Sequence, residues 1–139
     1  MTKYLLDTCI WRDHYETRYG PKGRPLGEYA TRLFMNLIRN QDTILFSELT
    51  IRELMNDFDE KEVNQMLNVL HISRILKRVE TEEEDYEEAK RIGMERNLPA
   101  SDVLHALLAR KNDAVFVTQD KHGQQLKDIA KVRKPEEII

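Results

Sequence analysis

The sequence predicts an α/β domain, a three-layer α/β/α sandwich built around a mainly parallel central sheet. Three observations point there. Short β-prone apolar runs alternate with segments whose apolar residues recur at the helical period. The best of those runs are apolar on successive residues, as in strands covered by helices on both faces. A chain of 139 residues supports one substantial core, and with no internal repeat or low-complexity break, residues 1–139 read as a single domain.

Lys3–Asp7 reads as the first strand, an apolar run closed by an aspartate. Gly20–Gly27, GPKGRPLG, is a loop by its glycine and proline density. Ala30, Leu33, Phe34, Leu37 and Ile38 then repeat with the spacing of a half-buried helix. Asp42–Ser47, DTILFS, predicts the second strand, and Ser47 the N-cap of a helix carrying Leu49, Glu53 and Leu54. Asp59 with Glu62 has the spacing of a capping box, opening a helix that buries Val63, Met66, Leu67 and Leu70. The third strand falls within His71–Glu80. Thr81 with Glu84 predicts another capping box, for a helix with Tyr86, Ala89 and Gly93 on one side. Pro99 interrupts the pattern, and Ser101 is the expected cap of a helix through Leu104, Leu107 and Leu108. Ala114–Thr118, AVFVT, is the cleanest strand, and Val132 marks a short last edge strand.

Hydrophobic residues at 40% and charged residues at 34% describe a soluble globular chain. A formal net charge of −3 excludes a protein that coats polyanions indiscriminately. Positive charge is instead local: Arg12, Arg18, Lys22 and Arg24 cluster early, while Glu80–Glu88 is an acidic run that reads as a solvated helix face. The single cysteine, Cys9, can form neither an intramolecular disulfide nor a cysteine-based zinc site, which fits a reducing cytoplasm. No apolar run reaches the length of a membrane span, and Lys3–Ile10 is too short for a signal-peptide core, so the expectation is cytoplasmic with no membrane partner.

A carboxylate on a buried strand is costly unless it has reached solvent or holds something. In parallel α/β sheets ligands collect at the carboxyl ends of the strands. Asp7 ends the first strand, and Asp120 lies just beyond the strand finishing at Thr118. Glu53 sits in the helix after the second strand, and Asp102 in the first turn of the helix that leads back to the fourth. With standard crossovers all four reach one edge. Four convergent carboxylates repel, and a bound cation is the usual remedy. Oxygen-only ligation suits Mg2+ or Mn2+ rather than zinc.

LLDTCIW around Asp7, FSELTIREL around Glu53, LPASDVLHALLA around Asp102 and VFVTQD ending at Asp120 resemble the four signature blocks of PIN domains. The resemblance is closest to the small VapC-type toxins of prokaryotic toxin–antitoxin pairs. The blocks run in the family's order from residue 3 to 120. The resemblance implies a metal-dependent ribonuclease with Asp7, Glu53, Asp102 and Asp120 as its acidic quartet, and a small polar residue near the last acid, here Thr118. It also implies a homodimer and an antitoxin partner whose segment occludes the acidic cleft. One departure stands out: where the family often carries Asn or Ser two residues after the first aspartate, this chain has Cys9, a weaker hydrogen-bonding group.

The implied chemistry is phosphodiester hydrolysis with one or two Mg2+ or Mn2+ ions. Asp7 and Asp102 are assigned as central ligands, Asp120 as completing a site directly or through water, and Glu53 as a ligand or a guide for the attacking water. Thr118 would orient Asp120 or a metal-bound water. Arg12, Arg18, Lys22, Arg24, Lys121 and Arg133 are candidate phosphate contacts, and Tyr15 and Tyr19 candidate stacking platforms for unpaired bases. Taken singly, each acid has a plain structural reading as a turn former, a helix-dipole partner or a solvent-facing residue. Only their joint convergence carries the metal reading. His105, one turn from Asp102, is read as core or core edge, and His14, His71 and His122 as surface. Trp11 is read as packing, and Cys9 as a small buried filler.

Two other functions compete. A PIN-like module binding RNA or protein without turnover draws on Cys9 and the acidic pI. A carboxylate–metal phosphatase acting on small molecules is disfavoured, because Asp7 is followed by Thr8 and Cys9 rather than by an Asp-x-Asp nucleophile pair.

Overall fold

The computed structural model describes residues 2–139. Strand β1 (Lys3–Leu6) leads into helix α1 (Thr8–Glu16), and a 3-10 turn at Pro21–Gly23 precedes α2 (Leu26–Asn40). Strand β2 (Thr43–Phe46), helices α3 (Glu48–Leu54) and α4 (Glu60–Ile72), and strand β3 (Leu76–Arg78) follow. Helices α5 (Glu83–Arg96) and α6 (Ala100–Lys111) then precede β4 (Val115–Val117), and a 3-10 segment at Lys121–Leu126 leads to β5 (Val132–Arg133).

The five strands form one sheet in the order β3-β2-β1-β4-β5, and every pairing is parallel. Leu5 stands beside Leu45 and Phe116 across the sheet, and Leu6 beside Val117. Successive side chains therefore feed two separate cores. Leu5, Leu45 and Phe116 pack with α5, α6 and the segment after β4, through Ala89, Leu104, Leu108 and Leu126. Leu6, Ile44, Phe46 and Val117 pack on the other face with α1, α2 and α4, through Trp11, Leu33, Leu37 and Leu67. Two cores on opposite faces of one sheet make the expected three layers. The chain order turns around at β1, whose neighbours are β2 on one side and β4 on the other, which opens a crevice at their carboxyl ends. Among the described residues no helix is long and apolar enough to cross a membrane.

Most elements lie where the sequence places them, with Ala30, Leu33, Phe34 and Leu37 buried on α2 and Val63, Met66, Leu67 and Leu70 on α4. Asp59 and Glu62 form their capping box, each side chain accepting from the other's backbone N–H. Other details differ. Helix α1 is an element the sequence reading does not contain. Ser47 stands at the α3 N-cap position, but the Thr50 hydroxyl accepts from its N–H at 3.3 Å while its own Oγ is buried without a partner. The α5 cap is Glu82 with Asp85 rather than Thr81 with Glu84, Asp85 accepting from the Glu82 N–H at 2.8 Å. Ser101 lies inside the first turn of α6, whose N-cap is Pro99. Gly27 lies within α2 rather than closing the loop. A Cβ there would sit 2.6 Å from Thr17 Cα and 2.7 Å from the Asp13 carbonyl, so glycine lets α1 and α2 approach this closely.

Candidate active site

Asp7 is positioned twice over. Its N–H donates to the Val117 carbonyl at 2.9 Å, extending the β1–β4 ladder by one residue. Its side chain caps α1, Oδ1 accepting from the Thr8 N–H at 2.7 Å. Oδ2 takes the Thr118 hydroxyl at 2.6 Å and the Cys9 thiol at 3.6 Å. The Thr118 hydroxyl in turn accepts from the Asp120 N–H at 2.9 Å. One threonine thus ties the first aspartate to the loop carrying the last. Gly123 makes room for this arrangement, since a Cβ there would lie 2.7 Å from Thr118 Cγ2.

Glu53 comes from the second turn of α3. Arg12 holds that turn by donating to the Glu53 carbonyl at 2.9 Å while pairing with Asp57 at 3.0 Å. The Glu53 Oε1 accepts from the Thr8 hydroxyl at 2.7 Å and from His105 Nε2 at 2.8 Å. His105 is fully buried on α6, its ring stacked against Phe116 with centroids 6.0 Å apart, and its Nε2 lies 3.8 Å from Asp7 Oδ1. Burial opposes charge on this ring, but the bond to Glu53 and the nearby charges of Asp7, Glu53 and Asp102 prevail and raise its pKa. Burial likewise pushes the Glu53 carboxyl up, and the His105 bond and charge, aided by Thr8 and Arg12, outweigh it and hold it below the usual range. The two are joined by that hydrogen bond, while His105 Nδ1 is buried without a partner.

Asp102 and Asp120 form a second group. His122 Nδ1 donates to Asp102 Oδ2 at 2.9 Å and lies 3.1 Å from Asp120 Oδ1, while its backbone N–H donates to the same Asp120 oxygen at 2.9 Å. The two groups adjoin. Burial, then the charge of Asp7, lifts the Asp102 carboxyl to about 6, with the His122 bond only partly compensating and Asp120 adding to the rise. Among the described residues no arginine or lysine pairs with any of the four carboxylates.

The structure therefore brings Asp7, Glu53, Asp102, Asp120 and Thr118 to one edge of the sheet, as two adjoining triads, Asp7–Glu53–His105 and Asp102–Asp120–His122. Their donor set fits a divalent cation, because Asp102 carries charge that no cationic partner fully relieves. Sequence reading places His105 in the core and His14 and His71 on the surface, as found, but misses that two histidines contact the acids. His105 does lie in the core, yet its Nε2 reaches the acids, and His122 is only partly exposed rather than a surface residue. The available signals were their spacing, one turn from Asp102 and two residues from Asp120. Cys9 is not an inert filler: its thiol lies between Asp7 and Thr118, 3.8 Å from the latter, and burial followed by the Asp7 charge keeps it protonated.

The basic candidates divide. Arg12 is committed to Asp57 and α3, Arg18 pairs with Glu16, and Arg24 pairs with Glu136. Arg133 is partly exposed and bonds the Val132 carbonyl. Lys22 and Lys121 are exposed and, among the described residues, enter no ion pair. Tyr15 packs edge-on against Phe58, and Tyr19 is 73% exposed.

Residues 4–132 match the family described as PIN domain. No curated protein sequence matches the chain. Solved structures match its fold along nearly the whole length. VapBC2 from Rickettsia felis, crystallised with a DNA fragment from its promoter, has a TM-score of 0.65 at 20% identity, covering 96% of this chain and 98% of its own. FitAcB from Neisseria gonorrhoeae gives 0.61 at 19%, with 96% and 98% covered. A toxin–antitoxin complex from Klebsiella pneumoniae gives 0.64 at 17%, with 95% and 97% covered.

Proposed function

This chain belongs to the PIN domain family, and from that premise we propose that it is a divalent-metal-dependent endoribonuclease, the toxin of a toxin–antitoxin pair. The observation that carries the proposal is the convergence of Asp7, Glu53, Asp102 and Asp120 with, among the described residues, no lysine or arginine pairing them off. A purely structural cluster of that charge would be expected to recruit such partners.

Asp7, Asp102 and Asp120 would hold Mg2+ or Mn2+, with Glu53 completing the set or directing water. A bound divalent ion supplies charge neutralisation at the phosphate and a lowered pKa for attacking water. The chain's own part is preorganisation. Thr118 and the Thr8 N–H fix both oxygens of Asp7, so that it need not reorient on binding. His105 and the Thr8 hydroxyl fix Glu53 as a carboxylate able to accept a proton or a water hydrogen bond. Lys22, Lys121 and Arg133 are the candidates that have no acidic partner among the described residues, with Arg12, Arg18 and Arg24 available to RNA phosphates only by exchanging their present acidic partners. The solved neighbours described as toxin–antitoxin complexes support an antitoxin partner, and a homodimer accompanies that reading.

The test is cleavage of single-stranded RNA by the purified chain with Mg2+ or Mn2+, with EDTA, and by an Asp7→Asn variant. Metal-dependent cleavage abolished by the substitution is expected, and equal cleavage by the variant refutes the proposal. A second reading, a domain that binds RNA or protein without turnover, is favoured by one observation: Cys9 gives Asp7 only a long thiol contact where the family often has Asn or Ser. Calorimetric titration separates the two, since absence of Mn2+ binding at millimolar concentration favours the second.

A further inference from the structure

The two triads are not equivalent. Around Asp7 and Glu53 the ligand atoms already have partners: Thr8 on Asp7 Oδ1, Thr118 on Oδ2, and Thr8 with His105 on Glu53 Oε1. His105 is fully buried and 3.8 Å from Asp7, so its nitrogen closes the triad as an internal hydrogen bond. The other triad is the more exposed, although Asp120 Oδ1 also accepts from the His122 N–H at 2.9 Å. The His122 side chain is 27% exposed, Asp102 14% and Asp120 38%. Its Nδ1 lies 2.9 Å from Asp102 Oδ2 and 3.1 Å from Asp120 Oδ1. Adjacent ligands of an octahedral ion with bonds of about 2.1 Å stand roughly 3.0 Å apart. His122 Nδ1 therefore already stands from each oxygen at the spacing of neighbouring positions around one cation, with all three atoms within 4.8 Å of one another, and a cation there would replace the Nδ1 proton and leave Nε2 protonated.

We propose that His122 is a metal ligand, forming with Asp102 and Asp120 a one-nitrogen, two-oxygen position that takes a first-row transition ion such as Mn2+ in preference to Mg2+. Imidazole nitrogen is a softer donor than carboxylate or water and shifts preference towards transition ions, whereas Mg2+ favours an all-oxygen shell and retains its waters. The inference rests on the proposed function only in taking the acids to hold a cation. It adds which ion, and through which nitrogen.

The experiment loads the metal-stripped full chain with Mn2+ and records electron spin echo envelope modulation, beside calorimetric titrations with Mn2+ and Mg2+. Four samples are compared: the wild type, the wild type carrying 15N-histidine, and His122→Gln and His122→Asn, their folds verified by circular dichroism. Coordination by His122 gives 14N modulation in the wild type, a changed pattern on 15N labelling, and loss of the signal in the variant. The preference for Mn2+ over Mg2+ should fall by about tenfold in His122→Gln. The labelling arm shows without substitution that a histidine is bound, and His122→Asn gives a second substituted sample that assigns it to His122 rather than to His105. Mn2+ binding without histidine modulation, or modulation retained in His122→Gln, overturns this inference and leaves the proposed function standing. Absence of Mn2+ binding by the wild type overturns both.

Discussion

Asp102→Asn should make the metal-free protein more stable at neutral pH, although it removes a residue placed at the centre of the site. The Asp102 carboxyl is lifted from 3.8 to about 6 by burial and by the charge of Asp7. At 1.36 kcal/mol per unit, that rise corresponds to about 3 kcal/mol of destabilisation once the group is ionised. Solvent screening at a partly exposed group reduces the usable figure to about 2 kcal/mol. The sign follows from proton binding. Between the unfolded and folded values the native state holds the proton more tightly, so stability falls as pH rises from about 4 to about 6 and stays reduced above that window. Asparagine keeps an acceptor for His122 but carries no charge. In EDTA at about pH 7.5 the variant should therefore unfold at a temperature roughly 5–8 °C higher, and at about pH 4 the gain should vanish. Differential scanning calorimetry of both proteins at both pH values measures this. A variant no more stable than the wild type at the higher pH would show that Asp102 bears no unrelieved charge, and the electrostatic case for a cation there would go with it.

Two further outcomes are expected elsewhere in the molecule. Gly27→Ala forces a methyl group against the backbone of Thr17 and Asp13, and separating α1 from α2 should cost at least about 2 kcal/mol in urea unfolding; an unchanged midpoint would contradict that packing. The Cys9 thiol, held protonated by burial and by Asp7, should react with iodoacetamide at about pH 8 at least tenfold more slowly than free cysteine, and an equal rate would show the thiolate to be accessible.

Asp7, Asp102 and Asp120 were legible because they occupy strand ends and a helix start, and Glu53 because it follows the second strand within two helical turns, positions that parallel topology then gathers. Helix α1 was not legible. It has nine residues, and its polar members include Asp13, which is buried and interrupts the apolar stripe formed by Ile10 and Trp11. The α5 cap slipped by one residue because Thr81–Glu84 and Glu82–Asp85 have the same spacing, and only packing chooses between them. The contacts of His105 and His122 with the acids were missed for a different reason. Whether His105 lies among apolar groups or against a carboxylate depends on Glu53, 52 residues away on another helix. The basic cluster had the same blind spot, since the acids that engage Arg12 and Arg24 come from Asp57 and Glu136.

The pairing of Leu5 with Phe116 has a consequence for the order of events during synthesis. The central strand can pair with β2 early, but its other neighbour is made more than a hundred positions later, and the loop after that neighbour delivers the last carboxylate. A nascent or prematurely terminated polypeptide lacking Asp120 has no assembled centre, however well its earlier helices form. Any chemistry requiring Asp7 and Asp120 together is therefore silent until the message has been read through Asp120.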